Sequence, residues 1–258
     1  MKRDKSNYII QSVAHGLDVL EEFNKGSDEL GVTELSKKLK LHKNNVFRIL
    51  ATLESRGYIE QNKDTENYRL GLKCLELGQT YIKQMGLLKQ SRSILEELAV
   101  TCNETSYISV LRNTDVVYLD SVEATTTVRV VSRVGLHLPV HATAAGKALI
   151  LHDSEEELKK KIPPTLKKLT PNTLDTLDKL TDALKVSQEK GYTTDIEEFE
   201  IGVCCVGAPV RDYTGRIVGA ISISGPASRL TIGKIDGDIA AEVVEKSGEL
   251  SRRLGYNA

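Results

Sequence analysis

Residues Thr33–Gly71 read TELSKKLKLHKNNVFRILATLESRGYIEQNKDTENYRLG, in which two short apolar-periodic runs, TELSKKLK and KNNVFRILATLESRG, are separated only by Leu41-His42. Two helices joined by so tight a turn predict a helix-turn-helix. Thr33 is expected as N-cap of the first, with Ser36 at N3 in place of the Glu or Gln of a capping box. In the second, Ile49, Leu50 and Leu53 recur at helical spacing and read as core. The following GYIEQNKDTENYRLG places β-prone Tyr58-Ile59 and Tyr68-Arg69-Leu70 around the polar tip NKDTEN, a hairpin in the position of a wing.

The second helix of such a motif presents its N-terminal residues to base edges in the major groove. Here these are His42, Lys43, Asn44, Asn45 and Arg48. Asn pairs with adenine through two hydrogen bonds and Arg or Lys with guanine, each good pair giving about 1–3 kcal/mol of discrimination. Lys63 and Arg69 in the wing suit backbone phosphates of double-stranded DNA. Residues 31–73 hold nine Lys/Arg against five Asp/Glu, whereas the whole chain has a net charge of −1, so the remainder is acidic on balance. Winged helices also serve as protein-interaction modules, and the fold alone does not settle function.

Outward from this motif, SVAHGLDVLEEF repeats apolar Val13, Leu17, Leu20 and Phe23 as a first helix, and NKGSDELG ends it. LKCLELGQTYIKQM, residues 72–85, again has helical spacing before Gly86. The expected organisation is a winged helix-turn-helix domain over residues 1–71, a linker helix over 72–86 and a second domain over 87–258. There, ETSYISVL, DVVYLDSV and TVRVVSRV read as three strands, HATAAGKALILH as the start of a helix, and LDTLDKLTDALKVSQEKG as an amphipathic helix stopped by Gly191. CCVGAPVRDYTGRIVGAISISG reads as a hairpin around Tyr213-Thr214-Gly215, before a last helix from about Lys234 to Leu254. Strands, a helical excursion, a hairpin and a closing helix make an α+β domain on an antiparallel sheet.

With 258 residues, 40% of them hydrophobic, the chain can bury real cores. No stretch approaches the ~20 consecutive apolar residues of a membrane span, and no apolar signal-peptide core follows MKRDKSNYII, so a cytoplasmic location without membrane partners is expected. Cys74, Cys102, Cys204 and Cys205 show neither a disulfide framework nor zinc-ligand spacing, and no metal or cofactor is expected. Gly146-Lys147 fails as a phosphate-binding loop, since Val140 or His141 stands where the first Gly is needed and Ala148 follows the lysine.

The long run GYTTDIEEFEIGVCCVGAPVRDYTGRIVGAISISGPASR carries Asp195, Glu197-Glu198, Gly202, Cys205, Pro209-Val210, Asp212, Gly215 and SISGP. Together with SVAHGLDVLEEF and HATAAGKALI it resembles the IclR-type transcriptional regulators, named for the isocitrate lyase regulator, over nearly the entire chain. The resemblance implies an N-terminal winged helix-turn-helix, a linking helix and an effector-binding domain similar to GAF and PAS folds. It further implies homodimers, or tetramers built as dimers of dimers, on palindromic operators. Carried over residue by residue, the ligand site falls on Ala144, Ala145, Asp195, Val203, Cys205, Ser222 and Ser224. Small 2-oxo or hydroxy acids suit this short polar set, and no aromatic residue neighbours it in the strand pair. Asn44-Asn45 stands where the family usually has Ser-Thr, so no operator sequence follows from the resemblance.

The residues give their own reasons. Along a strand, Val203 and Cys205 share one face and Cys204 takes the other, and Ser222 and Ser224 share a face of theirs. Amides at Ala144, Ala145 and Gly146 open a helix and favour an anion. Alternatives stand beside these: Cys205 as inert core, the serines as surface hydroxyls, Asp195 as a helix cap or as partner of Arg211, Arg216 or Arg229. Two other functions compete with a ligand-responsive regulator. One is a GAF-like thiol enzyme using Cys205 with His137 or His141 and Asp195; the other is a winged-helix adaptor without ligand.

Overall fold

The turn between the two helices of the expected motif is built by backbone geometry and a single hydroxyl. In the computed structural model, which describes residues 9–23, 28–84 and 86–257, α2 (Val32–Leu39) ends where Lys40 adopts a left-handed conformation with φ 55°. There the Leu41 amide donates to the Ser36 carbonyl, and the Ser36 hydroxyl donates back to the Leu41 carbonyl at 2.6 Å. Ser36 thus closes the turn. The N-cap of α2 is Gly31, without a side-chain bond, so Thr33 lies inside the helix and not at its cap. α3 (Lys43–Ser55) is capped by His42, whose Nδ1 accepts from the Asn44 amide at 3.3 Å.

Contacts divide the chain into two units, residues 1–84 and 85–258. In the first, Leu35, Val46 and Leu50 are fully buried with Val19, Leu30, Ile59 and Tyr68, while Ile49 and Leu53 pack at the margin. The wing pairs β1 (Ile59–Gln61) with β2 (Tyr68–Leu70), Ile59 opposite Leu70 and Gln61 opposite Tyr68. In α1 (Gln11–Glu22), Val19 is buried but Val13 and Leu17 are 57% and 55% exposed, so the expected core stripe is split between an inner and an outer face. The NKGSDELG turn lies partly outside the described residues. α4 (Leu72–Gln84) ends this unit.

The second unit is organised by a six-stranded antiparallel sheet of order β5-β4-β3-β8-β7-β6. Its strands are β3 (Thr105–Arg112), β4 (Asp115–Val122), β5 (His137–Pro139), β6 (Thr193–Ile196), β7 (Val203–Arg211) and β8 (Ile217–Pro226). Cys204, Val206, Ala208, Ile221 and Ile223 face α5 (Gly86–Cys102) and α10 (Ala240–Arg253), forming one apolar core. A second core, on the Tyr107 and Ala220 face, takes in α6 (Ala144–Leu149), α7 (Glu155–Lys161) and α8 (Leu177–Lys190). A strand alternates its side chains, so each core draws on alternate residues of the same strands.

Two further expectations change. TVRVVSRV is not a strand: its carbonyls accept from side chains instead of a ladder, Thr105 Oγ1 donating to Val130 O at 2.6 Å and Tyr107 Oη to Val131 O at 2.8 Å. The closing helix is interrupted, running as α9 (Ile232–Lys234), a segment with non-helical Gly237, and then α10. Sequence reasoning also missed α5 and α7, although Ser154 and Glu157 form a capping box at the start of α7.

Close approach fixes α6 on the sheet. A Cβ on Gly207 would lie 2.9 Å from the Ala144 carbonyl carbon and 3.1 Å from the Ala145 amide nitrogen. The Thr193 hydroxyl donates to the Ala144 carbonyl at 2.6 Å from the neighbouring strand. Gly207→Ala must push α6 outward and should destabilise the second unit by about 1–3 kcal/mol, read as a lower midpoint in thermal or urea unfolding; an unchanged midpoint would mean that α6 yields freely.

Candidate functional site

Residues opposite one another in an antiparallel ladder point to the same face. The register sets Asp195 opposite Cys205, Cys205 opposite Ser224, and Ser224 opposite Thr105, one polar row across β6, β7, β8 and β3. The adjacent row is Thr193, Gly207, Ser222 and Tyr107. Asp195, Cys205, Ser222 and Ser224 are thereby brought together, with Ala144 and Ala145 against Gly207. Val203 lies at the end of the same face, half-buried, opposite Pro226. Cys204 points the other way, into the α5–α10 core.

The row is buried: Asp195 is 2%, Cys205 6%, Ser222 1% and Ser224 4% exposed. Ser224 Oγ donates to Cys205 Sγ at 3.1 Å. The Ser222 hydroxyl, equally dry, has no hydrogen-bond partner among the described residues. A buried hydroxyl in that condition costs free energy unless something else fills its valence. Residues 123–136 form a roof, tied down by the Thr105 and Tyr107 hydroxyls and by Arg229, which donates to Val128 O at 2.8 Å and to the buried Glu104 carboxylate at 2.6 and 2.7 Å. The roof carries Arg133, whose guanidinium meets Glu200 at 2.9 Å and lies 5.2 Å above the Phe199 ring. Its charge acts on Cys205, Tyr107 and Tyr118.

Asp195 caps the turn after β6, accepting from the Glu198 amide at 2.7 Å and the Phe199 amide at 3.3 Å. Of the alternatives for this residue the structure shows the cap, here on a turn, and among the described residues it makes no pair with Arg211, Arg216 or Arg229. Burial pushes its carboxyl up to about 7, Lys147 opposing and Glu198 reinforcing the shift. Lys147, the lysine of the rejected phosphate loop, is buried in an ion pair with Glu198 at 2.6 and 2.7 Å. The Gly146 amide is used by the Thr143 hydroxyl at 3.1 Å, which removes it from the expected anion-binding set.

Sequence reasoning missed Tyr107 and Tyr118, whose rings meet edge to face at 5.1 Å. Tyr107 stands opposite Ser222, so an aromatic wall does adjoin the polar set, from a strand outside the hairpin. The alternation in TSYIS was its signal; the strand order was not.

Burial, with Asp195 adding, pushes the Cys205 thiol well above its usual range, the opposite of what a nucleophile needs. His141 Nε2 contacts the Lys167 carbonyl at 3.1 Å, and His137 is exposed beside Asp115 at 3.9 Å, so no Cys–His–Asp set is assembled. Among the described residues no group of three or more His, Cys, Asp or Glu could hold a metal ion, and no helix is long and apolar enough to cross a membrane. Two clefts of about 390 and 330 Å³ open elsewhere, one against α7 and the other beyond β6, where it reaches Lys147 and Glu198.

In the first unit, Lys43, Asn44, Asn45 and Arg48 are exposed on α3, and Lys63 on the wing. Lys43, Arg48 and Lys63 make no ion pair among the described residues. Arg69 is also exposed but held by Glu60 at 2.6 Å across the wing, which competes with a phosphate.

Residues 79–252 match the bacterial transcriptional regulator IclR C-terminal family and residues 12–63 the IclR helix-turn-helix domain. The chain is 37% identical to the HTH-type transcriptional regulator XynR of Escherichia coli (strain K12), over 97% of this chain and 99% of that protein. It is 31% identical to the HTH-type transcriptional repressor AllR of the same strain, over 96% and 92% respectively. The crystal structure of the Thermotoga maritima IclR superposes with a TM-score of 0.79 at 31% identity, covering 95% of this chain and 99% of that one.

The raised Asp195 carboxyl has a signed consequence. Its proton is kept to about pH 7 when folded and lost near 3.8 when unfolded, so stability falls as pH rises through that window. Asp195→Asn keeps an oxygen to cap the turn and removes the ionisation. Its melting temperature relative to the native protein should rise between about pH 5 and about pH 8; a constant difference would mean that Asp195 is ionised throughout.

Proposed function

The chain belongs to the IclR family of bacterial transcriptional regulators, and we propose that its second unit binds a small organic acid, of the 2-oxo or hydroxy type, on the roofed polar face of the sheet. The observation that carries this reading is the Ser222 hydroxyl, buried without a partner among the described residues, opposite Tyr107 and two residues from the Ser224 that bonds Cys205. A carboxylate or hydroxyl of the ligand supplies the missing bond. Arg133 favours an anion there, and Asp195, with its proton partly retained near neutral pH, donates to an oxygen instead of repelling it. Tyr107 and Tyr118 set a wall suited to the carbon skeleton.

Access requires the roof to move, because the row beneath it is almost wholly buried. The acid therefore binds open and closed arrangements with different affinity, the condition for shifting any equilibrium. α5, which follows α4 directly in the chain, packs on the other face of the same sheet and is the element through which such a shift reaches the DNA-binding unit. That unit reads a palindromic operator as part of a homodimer, or of a tetramer of paired dimers. Ile10, Val13 and Leu17 of the first helix region, spaced as one helical face and more than half exposed, support a subunit contact. Lys43, Asn44, Asn45 and Arg48 approach base edges, Lys63 and Arg69 the backbone.

A thermal-shift screen of the purified protein against 2-oxo, hydroxy and aromatic acids tests the site. An acid at a hundredfold excess over its Kd stabilises the native state by about 2.7 kcal/mol, and Ser222→Ala should abolish that shift while retaining operator affinity. Arg48→Ala should do the reverse, weakening operator binding by about 1–3 kcal/mol and leaving the thermal shift intact. If no acid stabilises the protein, or if Ser222→Ala binds as well as the native chain, the site lies elsewhere.

A further inference from the structure

We infer that Phe47 is a base-reading residue that packs against a thymine methyl in the major groove, an inference that rests on the DNA-binding reading of α3. The core side of α3 is formed by Val46 and Leu50, with Ile49 and Leu53 at its margin. Asn44, Phe47, Arg48 and Ala51 follow at i, i+3, i+4 and i+7 and form one outward stripe. All four are exposed, and Phe47 is the one large apolar side chain among them, 57% exposed. Among the described residues its ring meets no other aromatic ring and no cation.

At the centre of a helix face otherwise made of Asn, Arg and Ala, the fold of its own unit leaves more than half of the ring in water. In the major groove each base pair offers hydrogen-bonding atoms, and only thymine adds an apolar group, its C5-methyl, which Phe can contact. Asn44 and Arg48 flank the ring with the groups that pair with adenine and guanine, and uncompensated Lys43 and Lys63 supply attraction to the backbone. One ring among polar neighbours is far below the ~800 Å² per partner of a protein interface. The duplex is the occupant whose chemistry fits both the ring and its surroundings. Phe47 then sets specificity for thymine at a position beside the bases read by Asn44 and Arg48.

Replacing thymine by deoxyuridine removes the methyl and leaves every hydrogen-bonding atom in place, so it isolates the contact. The full-length protein is first used to select its operator from a random duplex pool. Each thymine of the selected half-site is then replaced singly by deoxyuridine, and binding of native, Phe47→Ala and Phe47→Leu proteins is followed by fluorescence anisotropy. Loss of one buried methyl is about a fourfold loss of affinity. The native protein should show this at one or two thymines per half-site, Phe47→Leu should keep part of it, and Phe47→Ala should bind thymine and deoxyuridine operators equally. Since Phe47 is exposed and Ala is a good helix former, the variant should melt and sediment like the native protein. The inference is overturned if the native protein ignores every deoxyuridine, if Phe47→Ala remains as sensitive, or if that variant loses its oligomeric state, which would make Phe47 a subunit contact. Failure to enrich any sequence would instead overturn the DNA-binding reading itself, and this inference with it.

Discussion

The pairing register of β6, β7, β8 and β3 is the constraint on which the second unit depends. Side chains alternate along each strand, so a one-residue slip of β7 would send Cys204 and Val206 to the polar face and Cys205 into the α5–α10 core. The apolar side fixes the register, because Val206, Ile221, Ile223 and Ile108 are buried together against two helices. The polar row opposite is then a consequence: once those residues face the helices, Asp195, Cys205, Ser224 and Thr105 must align on the other side. Packing energy on one face places chemistry on the other.

On the polar face the second apolar core is joined by hydrogen bonds and charge pairing. Lys147 and Glu198 are both nearly dry, and removing either would leave an uncompensated buried charge. Asp195 holds the turn that presents Glu198, linking the pair to the row. Roof carbonyls are satisfied by the Thr105, Tyr107 and Arg229 side chains, and almost every polar group in this region has a partner. Among the described residues the buried polar atoms without a partner are His141 Nδ1, Asp153 Oδ2 and the Ser222 hydroxyl, and of these Ser222 alone lies on the sheet strands that carry the polar row.

Much of this was legible in the amino-acid sequence. DVVYLDSV forms β4 over Asp115–Val122, and the alternation that separates Cys204 from Cys205 holds across β7. The winged motif was legible because helical spacing, a short turn and a β-prone pair followed one another within forty residues. Other features depend on distant partners. TVRVVSRV has strand-forming residues, but its carbonyls are taken by side chains from β3, a long-range fact that propensity does not encode. Tyr107 joins the site only because β3 pairs with β8, and the sheet order of a mixed chain is not written in local periodicity. Val13 and Leu17 fit a helical stripe, yet spacing alone cannot distinguish a face buried in the chain from one left exposed.

Coupling between the roofed face and the operator is the central claim, and linkage provides its most direct measurement. Calorimetric titration of the stabilising acid into the protein alone, and into the protein saturated with operator DNA, gives two affinities. Their ratio should equal the factor by which the acid changes operator affinity, since coupling between two bound ligands is reciprocal. Equal affinities in the two titrations, with both the acid and the DNA bound, would contradict the account.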